Sequence, residues 1–211
     1  MFYPICNEKI GNLLLYLAQK IPQLHLTKLL KIIYIIDETA VREIGVPVTW
    51  LDYQVWKLGP VPKNIYDELR NNKKIICQND TFSLSKFIKI QNTPNPKNPQ
   101  KDCFAILPNA VFDDGEFNDY EMELIDKTIN TYKFLSSEQI INELHEQGTL
   151  WEKMVNSKEL ERVFELEGSR SNHTIDFTDL LQEDTFKSMA YKAAYEALSF
   201  QEELDFQQEL T

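Results

Sequence analysis

The sequence predicts an α+β fold, predominantly α-helical, in which a helical core carries a small antiparallel β-sheet. Three observations predict it. Apolar residues recur at helical spacing through the first 45 residues. Short β-branched and aromatic runs follow between residues 51 and 107. Two capping signatures then open further helices beyond residue 118.

Ile10, Leu13, Leu14 and Leu17 place an amphipathic helix over residues 8–20, which Pro22 ends. Thr27 is the expected N-cap of a second helix that runs to about Glu43, with Gly45 just past its end. Leu29, Leu30, Ile32, Ile33, Ile35 and Ile36 make that helix apolar nearly all round, the mark of a central helix. Asp37 and Glu38 lie inside it; against a reading as functional carboxylates, they are expected to be exposed or paired near its end. Residues 46–48 and the alternating run 51–56 read as extended, and residues 62–70 as a short helix. Short strands are expected at 75–77, 82–84, 87–90 and 103–107. Pro94, Pro96 and Pro99 among asparagines make 91–100 a loop. Asn118 with Glu121 and Ser136 with Gln139 form capping boxes. Residues 168–176 are polar and read as a linker. In the last helix Phe186, Met189, Ala193, Ala197 and Leu204 share one face. It is expected to dock through Phe186, Met189 and Phe200, with its acidic side in solvent.

The chain has 211 residues, enough for one domain with an extension or for two small ones. Cys6, Cys77 and Cys103 are distant in sequence and odd in number, which argues against a disulfide framework or a zinc ribbon and for reduced thiols in a cytoplasmic setting. No run reads as a secretory signal or a membrane span, so no membrane partner is expected. The net charge of −11 is unevenly spread: residues 1–111 sum to +5 and residues 112–211 to −16. An acidic chain with scattered lysines disfavours nucleic acid as a partner and favours a basic protein.

No catalytic constellation is visible. His25, His145 and His173 are isolated, and there is no G-x-S-x-G, no phosphate-cradling glycine loop and no H-E-x-x-H. No cofactor or metal is expected. His145 ends a helix just before Trp151, where a protonated or hydrogen-bonding imidazole suits the helix C-terminus. Its structural role stands beside a possible partner contact. Tyr34, Trp50, Tyr53, Trp56 and Tyr66 are read as core, with at least one of them available to a binding surface.

The most specific local feature is Trp56-Lys57-Leu58-Gly59-Pro60-Val61-Pro62, followed by Tyr66. Gly59 tolerates backbone angles closed to other residues, and Pro60 and Pro62 fix their own φ. The expectation is a tight turn at Gly59-Pro60 from an extended segment into a helix, with Trp56 and Tyr66 mostly buried. With T-K-L-L-K-I-I-Y at 27–34 before it, Tyr34 included, and His145 and Trp151 after it, this order resembles the Panacea domain of SocA-like antitoxins and phage-associated proteins. The resemblance spans roughly residues 5–155. One departure is Leu150, where the resemblance leads us to expect proline before the tryptophan.

The resemblance implies a Panacea-like domain over residues 1–155 and leaves 156–211 as an acidic helical extension. It implies a cytoplasmic, non-enzymatic bacterial or phage protein whose partner is a cognate protein toxin. For some members the partner set extends to a protease or chaperone, because they act as proteolytic adaptors. The residues it marks for family structure or partner binding are Tyr34, Trp56, Lys57, Gly59, Pro60, Val61, Tyr66, His145 and Trp151. The rival readings are a phage-associated or regulatory binding protein that is not an antitoxin, a hydrolase or nuclease with a concealed site, and a DNA-binding regulator. The enzyme requires a pocket with converging titratable groups. The regulator requires a helix with several exposed Arg or Lys, and no helix in the sequence offers one.

Overall fold

Helices α1 (Glu8–Lys20) and α2 (Leu26–Ile44) form the centre of the molecule. The computed structural model describes residues 8–71, 75–76, 81–95 and 98–209, and at 75–76, 81–82, 95, 98–102 and 201–209 the backbone alone. Cys6, Cys77 and part of the segment read as a loop therefore lie outside the described residues, and Cys103 is a free thiol. The chain continues through β1 (Tyr53–Trp56), β2 (Gly59–Pro62), α3 (Lys63–Asn71), β3 (Ile75–Ile76) and β4 (Thr81–Phe82). Then come β5 (Ile88–Asn95), β6 (Asn98–Pro108), α4 (Asp119–Tyr132), α5 (Ser137–Leu144), α6 (Leu150–Ser157), α7 (Leu160–Leu166) and α8 (Thr185–Glu209). The architecture is α+β and predominantly helical. Its strands pair as antiparallel hairpins, β1 with β2, β3 with β4 and β5 with β6.

Helix α2 begins at Leu26 rather than after Thr27. Its N-cap is His25, which makes no side-chain capping bond. The reason is tertiary: the backbone of Leu24 accepts from the Ile106 amide at 2.8 Å, and His25 bridges to Ala105 of β6. These residues are drawn into an extended pairing, so the helix starts immediately after them. Its other end is as expected, with Gly45 at φ 80° closing onto the Val41 carbonyl. Both capping boxes form, Asn118 with Glu121 on α4 and Ser136 with Gln139 on α5. Leu150 is the first residue of α6, behind the N-cap Thr149, and is buried. This first helical position suits proline because no donor is needed there. The departure from the family pattern thus leaves the turn intact and fills core.

Four further expectations are corrected. First, Gly59-Pro60 is not the turn. Lys57 and Leu58 turn the chain, Trp56 pairs with Gly59, and β2 runs to Pro62 before α3 begins. A two-residue turn makes its flanking pair the bonded one, so Pro60 and Pro62 fall at non-bonded positions where a missing N–H costs nothing. Second, residues 91–95 and 98–100 are strand, not loop, and Pro94 lies opposite Asp102. In a two-stranded ribbon both strands are edges, which is where proline is tolerated. Third, the polar segment 168–176 is no free linker. The amides of Lys57, Val55 and Ile175 bond to Ser169, His173 and Tyr53 carbonyls at 2.8–2.9 Å, laying the segment along the open edge of β1. Phe177 and Leu181 then enter the main core. Fourth, Phe186, Met189 and Phe200 of α8 are 80%, 65% and 61% exposed, so they do not dock the helix. It is held by Trp50, whose ring meets Tyr191 at 5.0 Å and Tyr195 at 5.8 Å. Lys187 adds a bond of 2.7 Å from its ammonium to the Arg42 carbonyl.

Candidate functional site

The site is built on the buried polar residues of α2. Lys31 has almost no exposed surface, and its ammonium donates to the Pro60 carbonyl at 2.6 Å. Burial pulls its pKa down to about 7. Gly59 lies directly over it with φ 98°; a Cβ there would stand 3.3 Å from both Cε and Nζ of Lys31. The glycine is therefore required twice, by its backbone angle and by the lysine beneath it. The second lysine, Lys28, donates to the Lys133 and Leu135 carbonyls at 2.8 Å each, closing the α4–α5 connection onto α2.

Asp37, expected to be exposed or paired near the helix end, has no exposed surface at all. Its carboxylate accepts from the Val48 amide at 2.9 Å, the Thr49 amide at 2.8 Å, the Tyr53 hydroxyl at 2.7 Å and the Thr49 hydroxyl. Four donors explain how a carboxylate can sit in the core. Burial raises its pKa to about 6, against the lowering effect of those bonds. They also fix the loop that holds Trp50 at φ 56°, a strained angle that presents its ring to α8. Glu38 does pair near the helix end, with Arg42 at 2.7 Å.

The family-marked residues divide into two groups. Tyr34 and Val61 are core. Tyr34 packs edge-on to Tyr53 at 5.1 Å and against Phe177 at 5.8 Å. The others gather at one end of the hairpin. The Trp151 indole donates to the Trp56 carbonyl at 2.8 Å, and the His145 ring lies flat on Trp151 at 3.6 Å. Trp56 is buried and meets Tyr66 edge-on at 4.8 Å, while Tyr66 is half-buried. Arg170 covers both rings, with its guanidinium 4.5 Å from Trp56 and 5.1 Å from Tyr66, and it donates to the Tyr66 hydroxyl at 3.0 Å.

His145 caps α5, as its position suggested, but it is not protonated at neutral pH. Burial and the charge of Lys31 push its pKa down to about 4. The protonated imidazole is thus corrected to a neutral ring spent on stacking. Lys31 and Arg170 were given no role from the sequence, and Asp37 was read there as exposed or paired near the helix end. Lys31 and Asp37 had a signal, as charges inside a helix apolar on all sides. Arg170 had none, because its place depends on the pairing of 169–175 with β1.

Beside this cluster lies an open groove of about 1210 Å³ between the hairpin turn, the α4–α5 connection and α7. Lys57, His145 and Trp151 line it, and Leu58 and Phe134 stand on it with 55% and 80% of their surface exposed. Among the described residues no group of three or more His, Cys, Asp or Glu is placed to hold a metal ion. No helix among them is long and apolar enough to cross a membrane.

The family model of the SocA-like antitoxin, Panacea domain, matches residues 29–152. No curated protein and no solved structure matches the chain significantly. The match starts within α2, ends at the Trp151 end of the cluster and takes in more than half of the chain. The protein therefore belongs to the SocA-like antitoxin family, and residues 29–152 are its Panacea domain.

Proposed function

We propose that this protein is a cytoplasmic antitoxin that neutralises a cognate protein toxin by binding it directly, without turnover and without a cofactor. The observation that carries this reading is the groove beside the hairpin turn, where Leu58 and Phe134 leave large apolar surface in solvent next to Lys57. Exposed apolar anchors beside a rigid turn suit protein recognition. The marked residues support that rim: Trp56, Gly59, Pro60, Val61, Tyr66, His145 and Trp151 hold the turn in place, and Lys57 faces the partner. The recognising unit is residues 1–155, with the acidic extension 156–211 strapped onto it through β1.

The acidic half supports a basic toxin as the partner, drawn in by long-range attraction. A toxin held in this groove and passed to a protease would make the protein an adaptor, and the same rim serves either outcome. A hydrolase reading finds little support in His145, whose Nε2 has no partner among the described residues and whose ring is neutral and stacked. Co-expression with the product of each neighbouring reading frame tests the proposal. Growth should recover and a complex should co-purify. Continued toxicity without a complex, for every neighbouring reading frame, would refute it.

A further inference from the structure

One wall of the groove comes from outside the family-matched residues. The hairpin turn and the α4–α5 connection lie within 29–152, whereas Glu161, Phe164 and Glu165 of α7 lie beyond it. Phe164 is buried in the cluster around Trp151 and seats α7 on the body. Glu161 and Glu165 share one face a helical turn apart, and both are exposed. The same two carboxylates line a second cavity of about 630 Å³ with Val155, Arg162 and Leu166, so they stand on the ridge between two hollows. Neither has an ion pair among the described residues. Carboxylates at this spacing repel each other, and Glu165 stands in the last turn, where the helix dipole disfavours an anion. The stability of α7 gives no reason for the pair.

We infer, on the reading that the groove seats the toxin, that α7 is its specificity wall and receives the basic side of an amphipathic helix of the toxin. The lysines and glutamates lining the groove decide this chemistry. Lys28 is spent on the Lys133 and Leu135 carbonyls. Lys133 reaches the Asn130 side chain at 2.9 Å and lies over the Phe134 ring at 5.3 Å. Glu138 already has a partner. Two carboxylates on α7 are left against the single ammonium of Lys57 at the turn, so the free charge is net negative. A toxin lysine or arginine over Glu161 and Glu165 meets both carboxylates, while apolar residues on its neighbouring face cover Leu58 and Phe134. The walls favour a helix over a strand. Cys103 is the one residue of a described strand that lines the groove, and the outer edge of β1 is already paired with the segment 169–175. A partner strand has no β1 edge to extend, whereas a helix docks through side chains alone. The recognition surface thus extends past residue 155, and a part of the chain outside the family match chooses the partner.

The probe is the reading-frame product that co-purifies with the full chain. Its dissociation constant is measured by calorimetry for Glu161→Lys, Glu165→Lys and the control Glu123→Lys. Glu123 is exposed on α4 and is not among the residues lining the groove. Each substitution changes the net charge equally, so long-range attraction weakens alike in all three. Glu161→Lys and Glu165→Lys should each weaken binding at least about 10-fold more than the control. Glu165→Lys should not lower the melting temperature, because it gives α7 an ion pair with Glu161 in the favourable order. Reversal of one basic residue of the probe to Glu should restore binding to Glu165→Lys. Both α7 variants binding like the control, with Leu58→Asp still weakening the complex, would overturn the inference and leave the groove as the toxin site. Indifference to Leu58→Asp as well would remove the groove and α7 together. The absence of any co-purifying product would sink both readings.

Discussion

The ammonium of Lys31 donates to the carbonyl of Pro60 at 2.6 Å, directly beneath Gly59. A charged group on the central helix thereby fixes the hairpin whose turn carries Lys57 and Leu58. The ammonium is buried against a backbone carbonyl, and that burial pulls its pKa down to about 7. In the unfolded chain lysine keeps its proton to about 10.4. Between those values the unfolded state binds more protons than the folded one, so stability should rise with pH from about 7 upward. Lys31→Met should remove that rise while leaving the Pro60 carbonyl unpaired, at a cost of about 1–3 kcal/mol at neutral pH. Urea titrations of both proteins across pH 7–10 check this, and parallel pH profiles would contradict it.

Asp37 gives the opposite slope. Its pKa is raised to about 6, so between the ordinary carboxylate value and 6 the folded state holds the extra proton. Stability from this group is full below the ordinary value and is lost as pH rises through 6. Asp37→Asn should flatten the profile over that window. Asp37→Ala strips acceptors from two amides and two hydroxyls and should cost at least about 3 kcal/mol. Denaturant midpoints for both variants decide the matter, and an Asp37→Ala protein as stable as the parent would refute the assigned network.

Three glycines separate shape from strain. Gly59→Ala meets both a positive φ and Lys31, whereas Gly148→Ala meets a positive φ of 90° with open space around it. Gly11 lies within α1, and a Cβ there would stand 2.3 Å from the Phe87 ring. Gly59→Ala and Gly11→Ala should each cost roughly 1–3 kcal/mol, and Gly148→Ala less than Gly59→Ala. Melting temperatures rank them, and Gly148→Ala as the most damaging of the three would upset the assignment.

Trp56→Ala should cost roughly 3–5 kcal/mol, because the ring is buried against Tyr66 under Arg170. Trp151→Phe keeps the stack on His145 but loses the bond to the Trp56 carbonyl, at about 1 kcal/mol. An unchanged thermal melt for Trp56→Ala would show that this residue anchors nothing.

The elements legible in the sequence are those whose signals are local. Helical spacing placed α1 and α2, and the capping boxes at Asn118 and Ser136 placed α4 and α5. The misread elements depend on distant partners. Pro94 looks like loop until a two-stranded ribbon gives it an edge position. Ser169 and His173 look like linker until β1 offers them its amides. Asp37 looks like a surface charge until the loop at Val48 and Thr49 folds back over it. Lys57, His145 and Trp151 stood out one by one, but their convergence on a groove rimmed by Phe134 is a property of the tertiary structure alone.

The central claim is that the rim at Leu58 and Phe134 holds the toxin. The most direct test is the dissociation constant of the toxin complex, by calorimetry, for Leu58→Asp, Phe134→Asp and the control Val111→Asp. Val111 is exposed and lies outside the groove. Each rim substitution should weaken binding by at least about 2 kcal/mol, roughly 30-fold, with an unchanged melting temperature, and the control should bind like the parent. Rim variants that bind the toxin as tightly as the parent would contradict the account.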